Sequence, residues 1–274
     1  MIRTILSFTR IEHSIFSLPI ILAGAWIGGG YHFPRVTLVL LIIIAAVGAR
    51  IFGIAFNRIF DRRLDALNPR TAMRELPSGK MTMGSALIVA FCGLALYILA
   101  CLALGGWCLK LSPLPLIPLL GYSLLKRVTS LCHFGIGFCL GIAPMAAFIA
   151  ASGNLDFPFT IYVFSLFVFC WMSGSDIIYA IMDIESDKKN GIHSLPASLG
   201  AVKAKKIAAI LHLVSVICLV IILLINNGEQ ASWISLAVAV AAFILMYVPI
   251  IPVGIRFFPI STIAGIAGAL VPVL

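Results

Sequence analysis

Apolar runs about as long as a bilayer is thick recur along the chain, parted by short polar stretches. About 20 apolar residues cross the hydrocarbon core as a helix. Nine segments meet that description, near 11–30, 37–56, 83–104, 112–125, 134–152, 158–181, 205–226, 231–252 and 257–274. The fourth is short and carries Pro113, Pro115 and Pro118. Proline is tolerated at membrane depth where neighbouring helices re-satisfy the freed backbone groups. Gly135, Gly137 and Gly141, with Gly265 and Gly268, mark places where helices can approach closely. The pattern predicts an all-α membrane protein, one domain over residues 1–274, built as a bundle of nine transmembrane helices around a central cavity. Only two polar stretches are extended, 57–82 and 183–204, and both read as cap loops at one face of the bundle.

Composition narrows the class. The 274 residues are 62% hydrophobic and 11% charged, and the mean hydropathy is +1.14. A soluble domain could not hide that much apolar surface. The first apolar segment is too long, and too poorly flanked by small residues, for a cleaved signal peptide. The seven cysteines form no Cys-x-x-Cys unit and lie mostly in apolar stretches, which argues against a zinc site or a disulfide framework.

The net charge of +9 has a membrane explanation and does not call for nucleic acid. Arg58, Arg62, Arg63, Arg70, Arg74 and Lys80 lie between the second and third segments, and Lys126 and Arg127 follow the fourth. Lys188, Lys189, Lys203, Lys205 and Lys206 lie between the sixth and seventh, whereas the opposite side has only Arg35 and Lys110. Basic loops stay in the cytoplasm. The expectation is a multi-pass protein of the inner membrane, with its amino terminus and both cap loops on the cytoplasmic side.

Two acidic clusters break the apolar pattern on that side. The first places Asn57, Asp61 and Asp65 four residues apart, and the second holds Asp176, Asp183 and Asp187 with Tyr179 among them. Residues four apart share a helical face, and seven steps of 100° return to within about 20° of the start. Each cluster is therefore one stripe, and two facing stripes would present five carboxylates and an amide.

Such crowding is costly. An Asp at the bilayer centre costs about 2.5–3.5 kcal/mol on insertion scales. Two carboxylates near 4 Å apart repel by about 4 kcal/mol at an effective dielectric of 20. One Asp pair on a helix end is usually solvated surface. Two pairs flanked by membrane helices on one side point to a hard divalent cation. Mg²⁺ uses one or two carboxylates and fills its shell with water and phosphate oxygens. Arg62 and Arg63 interleave with the first cluster, Lys126 and Arg127 end the fourth segment on the same side, and Lys188 and Lys189 follow the second cluster, so cations stand ready to stabilise a leaving diphosphate. An apolar cavity would suit an isoprenoid tail and keep water from a carbocation. Glu12-His13, at the start of the first segment, reads as a polar helix end.

Asn57-x-x-x-Asp61-x-x-x-Asp65 followed by Asp183-x-x-x-Asp187 resembles the paired aspartate motifs of the UbiA superfamily of intramembrane prenyltransferases. The segment Tyr122-Ser123-Leu124-Leu125-Lys126-Arg127 adds to the likeness. Within the superfamily the chain is similar to the 4-hydroxybenzoate polyprenyltransferase-like group, and more narrowly to members in the futalosine route to menaquinone. The stretches 10–16, 47–57, 65–71 and 173–180 carry that closer likeness. The resemblance implies Mg²⁺-dependent transfer of a polyprenyl group from its diphosphate to an aromatic acid, here a dihydroxynaphthoate. It implies metal–diphosphate binding by Asn57, Asp61, Asp65, Asp183 and Asp187. Phosphate contacts would fall to Arg62, Lys126 and Arg127, with Tyr122 in the substrate pocket. Asp176, with Tyr179, would orient or deprotonate the acceptor. Many relatives write Asn-Asp where this chain has Asn57-Arg58, which removes one carboxylate, and the ninth segment is short for the group.

Other readings compete. Transfer to 4-hydroxybenzoate, in ubiquinone synthesis, changes only the acceptor. A divalent-cation transporter would also use intramembrane acids, but transporter sites lie near the midplane on broken helices, and here both clusters sit at one face.

Overall fold

A computed structural model of the chain describes residues 2–10, 14–32 and 34–274. Regular structure among them is helical throughout. A short helix, α1 (Ile2–Thr9), precedes the first apolar helix, α2 (Ser14–Gly28). The Glu12-His13 pair lies outside the described residues. Next, α3 (Val36–Leu67) runs 32 residues without a break, so the second expected span and the first acidic cluster form one rigid rod.

α4 (Met83–Leu104) turns into α5 (Gly106–Leu111) through Gly105 and Gly106, whose φ values of 68° and 50° are open to glycine at little cost. α6 (Pro113–Leu125) continues from there. The fourth span thus covers 106–125, six residues longer at its start than the pattern predicts. Pro113 has no N–H for the Leu109 carbonyl, and the Ser112 hydroxyl supplies a donor instead at 2.9 Å.

α7 (Cys132–Gly141) and α8 (Ala143–Ser152) make the fifth span. α9 (Phe159–Ala180) passes through a 3-10 turn, Ile181–Asp183, into α10 (Ile184–Lys189). The short α11 (Leu195–Leu199) leads into α12 (Ala201–Ile225), then α13 (Gln230–Leu245). α14 (Val253–Ile255), a π-helical turn over Arg256–Ile260 and α15 (Ser261–Leu270) finish the chain.

Among the described residues, seven stretches are long and apolar enough to cross a membrane. The other two expected spans correspond to α2 and α13, of 15 and 16 residues. α13 stops at Leu245, short of the expected 252, because Pro249 and Pro252 cannot continue it.

Neighbours pack largely in chain order. α3 lies against α4 and α6, α6 against α7, α7 against α9, α9 against α12, and α13 against α15, which returns to α2. The glycines permit this, as the sequence predicts. A Cβ on Gly137 would lie 2.0 Å from Ser173 Oγ, and one on Gly268 would lie 2.2 Å from the Phe167 ring. α9 is the most enclosed of the long apolar helices, with most of its residues buried. Phe164, Phe167 and Trp171 stack along it, and the Trp171 indole N–H is held by Ser261 on α15 at 3.0 Å. This fixed central rod ends at Asp176, Tyr179 and Asp183, the second acidic cluster.

Candidate active site

The last turns of α3 are polar on two faces with different fates. Arg58, Asp61 and Asp65 are buried, three and four residues apart. Arg62 and Arg63, one position round the helix, are exposed. Asp61 is 1% exposed. Lys126, just past α6, places Nζ 2.5 Å from Asp61 Oδ2, and Asn57 donates to the same oxygen at 3.0 Å. Arg127 Nη2 lies 3.8 Å from Asp61 Oδ1, an oxygen that accepts no hydrogen bond. Asp65 receives Arg74 Nη1 on both oxygens, at 2.9 and 3.0 Å.

The segment after α3 folds back over the second cluster. Asn68 Nδ2 donates to Asp183 Oδ1 at 2.8 Å. The Arg70 guanidinium binds Asp183 on both oxygens and gives its remaining terminal nitrogen to the Tyr179 hydroxyl at 2.7 Å. Tyr179 stacks on Phe257 at 4.1 Å between centroids, and Arg70 lies 4.8 Å from the Tyr179 ring centre. One turn on, Asp187 accepts from Ser194 Oγ at 2.7 Å, and that hydroxyl also caps α11 by accepting from the Ala197 N–H. The His193 N–H donates to the Lys126 carbonyl at 2.8 Å, which ties the segment between α10 and α11 to the residue that pairs with Asp61.

Asp176 sits one turn deeper. His133 Nδ1 lies 2.7 Å from Asp176 Oδ2, and the Leu195 N–H donates to His133 Nε2 at 3.3 Å. A ring nitrogen that accepts an N–H carries no proton, so Nδ1 is the protonated one and donates to Asp176. Asp176 is thereby oriented. Tyr122, on α6, packs beside α7 two residues from His133, where a Cβ on Gly135 would lie 3.0 Å from the Tyr122 Cβ.

The structure therefore gathers Asn57, Asp61, Asp65, Lys126, Arg127, Tyr122, Asp176, Tyr179, Asp183 and Asp187 at one end of the bundle. It sets Arg62 apart. At 100° per residue Arg62 leaves the buried stripe of Asp61 and Asp65, and among the described residues it makes no hydrogen bond or ion pair. Arg58 turns away too, pairing with Glu75 on the flank beneath α1.

Three partners escaped the sequence reading. Arg70 and Arg74 are indistinguishable there from ordinary cytoplasmic basic residues. His133 stood alone in an apolar stretch. Their common signal is proximity to the motifs after folding.

The carboxylates do not form one closed ligand set. Among the described residues no three His, Cys, Asp or Glu side chains converge to enclose a metal. What they offer is two half-sites of hard oxygen donors, with one buried Asp61 oxygen free to ligate. That fits an ion that takes one or two carboxylates and completes its shell from phosphate and water.

The fold and this end of the bundle define a helical membrane protein with an acidic, cation-lined mouth. Residues 17–251 match the UbiA prenyltransferase family. The chain belongs to that family and is a prenyltransferase. It is 30% identical over 239 residues to a 4-hydroxybenzoate octaprenyltransferase of Yersinia enterocolitica, covering 86% of this chain and 81% of that one. A namesake from Shewanella baltica is 29% identical over 77% of this chain and 74% of its own. Among solved structures, the apo structure of a UbiA homolog from Aeropyrum pernix K1 superposes with a TM-score of 0.83 at 30% identity, covering 95% and 96% of the two chains. A UbiA homolog from Archaeoglobus fulgidus bound to GPP and Mg²⁺ shares the fold, with a TM-score of 0.66 at 21% identity over 99% and 100%.

Proposed function

We propose that this protein transfers a polyprenyl group from its diphosphate to a small aromatic acid at the cytoplasmic face of the inner membrane, with Mg²⁺ as the required ion. The carrying observation is the meeting of the two acidic clusters: Asn68 and Arg70, just past the first, hold Asp183 of the second at 2.8 and 2.6 Å. In this reading the chain crosses nine times, α2 and α13 supplying the two shorter spans, and the segments 57–82 and 183–204 cap the cytoplasmic mouth.

Asn57, Asp61 and Asp65 hold the metal–diphosphate from one side, and Asp183 and Asp187 from the other. Bound Mg²⁺ supplies charge neutralisation for the departing diphosphate. Lys126, Arg127 and Arg70 are placed to take phosphate oxygens as the carboxylates pass to the ion. Tyr122 and Tyr179 line the pocket where the allylic carbon and the ring meet. Asp176, oriented by His133, accepts the proton released when the ring is alkylated, or positions the acceptor hydroxyl.

We assign the acceptor as a dihydroxynaphthoate of menaquinone synthesis, on the likeness of stretches 10–16, 47–57, 65–71 and 173–180 to that subgroup. The names of the curated relatives favour a second reading, transfer to 4-hydroxybenzoate. The purified protein, incubated with Mg²⁺, a polyprenyl diphosphate and a panel of hydroxylated aromatic acids, decides between them by product mass. A prenylated naphthoate supports the first, a prenylated hydroxybenzoate the second, and no prenylated aromatic product rejects both.

A further inference from the structure

We propose that the hollow between the end of α3 and the start of α4 binds the headgroup of an anionic phospholipid. The hollow holds about 520 Å³ and is lined by Ile59, Phe60, Arg62, Arg63, Pro77 and Met83 among others. It lies on the exposed side of α3, away from the buried stripe of Asp61 and Asp65, so the helix itself separates it from the acidic mouth.

Its two arginines differ from their neighbours. Arg58, Arg70, Arg74 and Arg127 are each held by a carboxylate at this end of the bundle. Arg62 and Arg63 make no hydrogen bond or ion pair among the described residues, and both line the same hollow. Two adjacent guanidiniums without a protein anion match a phosphodiester, which guanidinium binds with paired N–H donors. The first turn of the 22-residue α4, which contributes Met83, adds its positive end, because the Thr82 side chain satisfies only the Ser85 N–H.

The apolar half of the lining argues for a lipid. Ile59, Phe60, Ala66, Pro77 and Met83 offer hydrocarbon where a free phosphate needs none. From Phe60 a track of rings leads along the bundle, Phe60 to Phe56 at 5.6 Å and Phe56 to Phe91 at 6.3 Å. Phe91 is 55% exposed in the apolar part of α4. The headgroup thus meets the charges where apolar helix ends, and an acyl chain has a continuous aromatic surface below it.

Native mass spectrometry of the detergent-purified full chain tests this with three probes: phosphatidylglycerol, phosphatidylcholine and inorganic pyrophosphate with Mg²⁺. The wild type is expected to retain one phosphatidylglycerol in preference to phosphatidylcholine. Arg62→Gln/Arg63→Gln should weaken that retention by about thirtyfold, the worth of two cations at an anionic surface. Ala66→Trp keeps both charges, fills the hollow from an exposed helix position, and should lose the lipid too. It decides the matter if the double variant fails to fold. Equal retention of the two lipids, or wild-type retention by a folded double variant or by Ala66→Trp, overturns the proposal. Displacement of the lipid by pyrophosphate also overturns it and returns the arginines to the diphosphate.

Discussion

Arg70 and Asp183 stand 113 residues apart and meet at two points, Nε to Oδ1 at 2.9 Å and Nη2 to Oδ2 at 2.6 Å. Asn68 adds a third bond to the same carboxylate. The cap segment after α3 is thereby strapped to the end of α9, and the two acidic motifs become walls of one mouth. A paired, charge-assisted contact of this kind also leaves a cation beside the oxygens that a metal–diphosphate would occupy.

Arg70→Gln removes the charge and the fork but keeps a short polar side chain. The expected result is a fall of about 10–100-fold in kcat/KM for the prenyl diphosphate, the worth of one hydrogen bond to a charged group. The apparent KM for the aromatic acid should change little. Steady-state kinetics with each substrate varied in turn separates the two, and an unchanged donor term removes Arg70 from the phosphate site.

Asp61→Ala and Asp183→Ala address the ion. If each aspartate supplies a hard ligand from one wall, as proposed, turnover should drop by at least about 10²–10³-fold. Chelation of the wild type should do the same, with recovery on adding Mg²⁺. The variants must still insert and unfold cooperatively, which intrinsic fluorescence on heating reports. Near-normal activity in either folded variant would show that the metal lies elsewhere.

His133→Ala leaves Asp176 in place and removes what aims it. His133 touches Asp176 and the Leu195 N–H, so it is a positioning residue that also joins α9 to the second cap loop. Misplacing a reacting group by about 1 Å can cost a hundredfold. The rate with saturating substrates should fall about 10–100-fold, while donor binding stays within about twofold of wild type by direct titration. Loss of donor binding in proportion would place Asp176 with the metal ligands.

Much of this was legible in the sequence. Hydropathy located the seven longer spans found among the described residues, because each is apolar along a bilayer-length stretch. The i,i+4 rule puts Asp61 and Asp65 on one buried face, and the same counting sets Arg62, one residue from Asp61, on the exposed one. Arg70, Arg74 and His133 were not legible, because ion pairing across 113, 9 and 43 positions is set by tertiary packing and leaves no local period. Arg58 shows the same limit. It directly follows Asn57 of the first motif, yet the fold pairs it with Glu75 in a buried contact.

Gly48 tests the packing of α3 on α4. A Cβ there would sit 2.6 Å from the Tyr97 nitrogen and 2.8 Å from the Gly93 carbonyl oxygen, and backbone atoms cannot give way as a flexible side chain can. Gly48→Val should destabilise the bundle by about 1–3 kcal/mol and lower the unfolding midpoint in detergent. Gly121→Ala is the control, because nothing lies within 4 Å of the added carbon. Equal midpoints for the two variants would mean that α3 and α4 are not in close contact.

Glu75 makes the attachment of α1 sensitive to acid. Ser7 Oγ donates to its Oε1 at 2.6 Å, and Arg58 pairs with its other oxygen and lies over the Phe8 ring. Burial alone would raise the Glu75 carboxyl. The hydrogen bonds from Ser7 and from its own backbone, with the charges of Arg58 and Arg10, outweigh it and hold the group below the usual carboxylate range. A depressed folded value means the stabilisation is complete above the unfolded value, about 4.3, and is lost as the pH falls through the folded one. Hydrogen-exchange protection in residues 2–9, measured relative to the intrinsic rate at each pH, should therefore be high and flat at neutral pH and fall in acid below that point. Glu75→Gln keeps a partner for Ser7 but not the charge. In that variant protection should be lower at pH 7 and nearly independent of pH into acid, and an unchanged acid profile would detach α1 from Glu75.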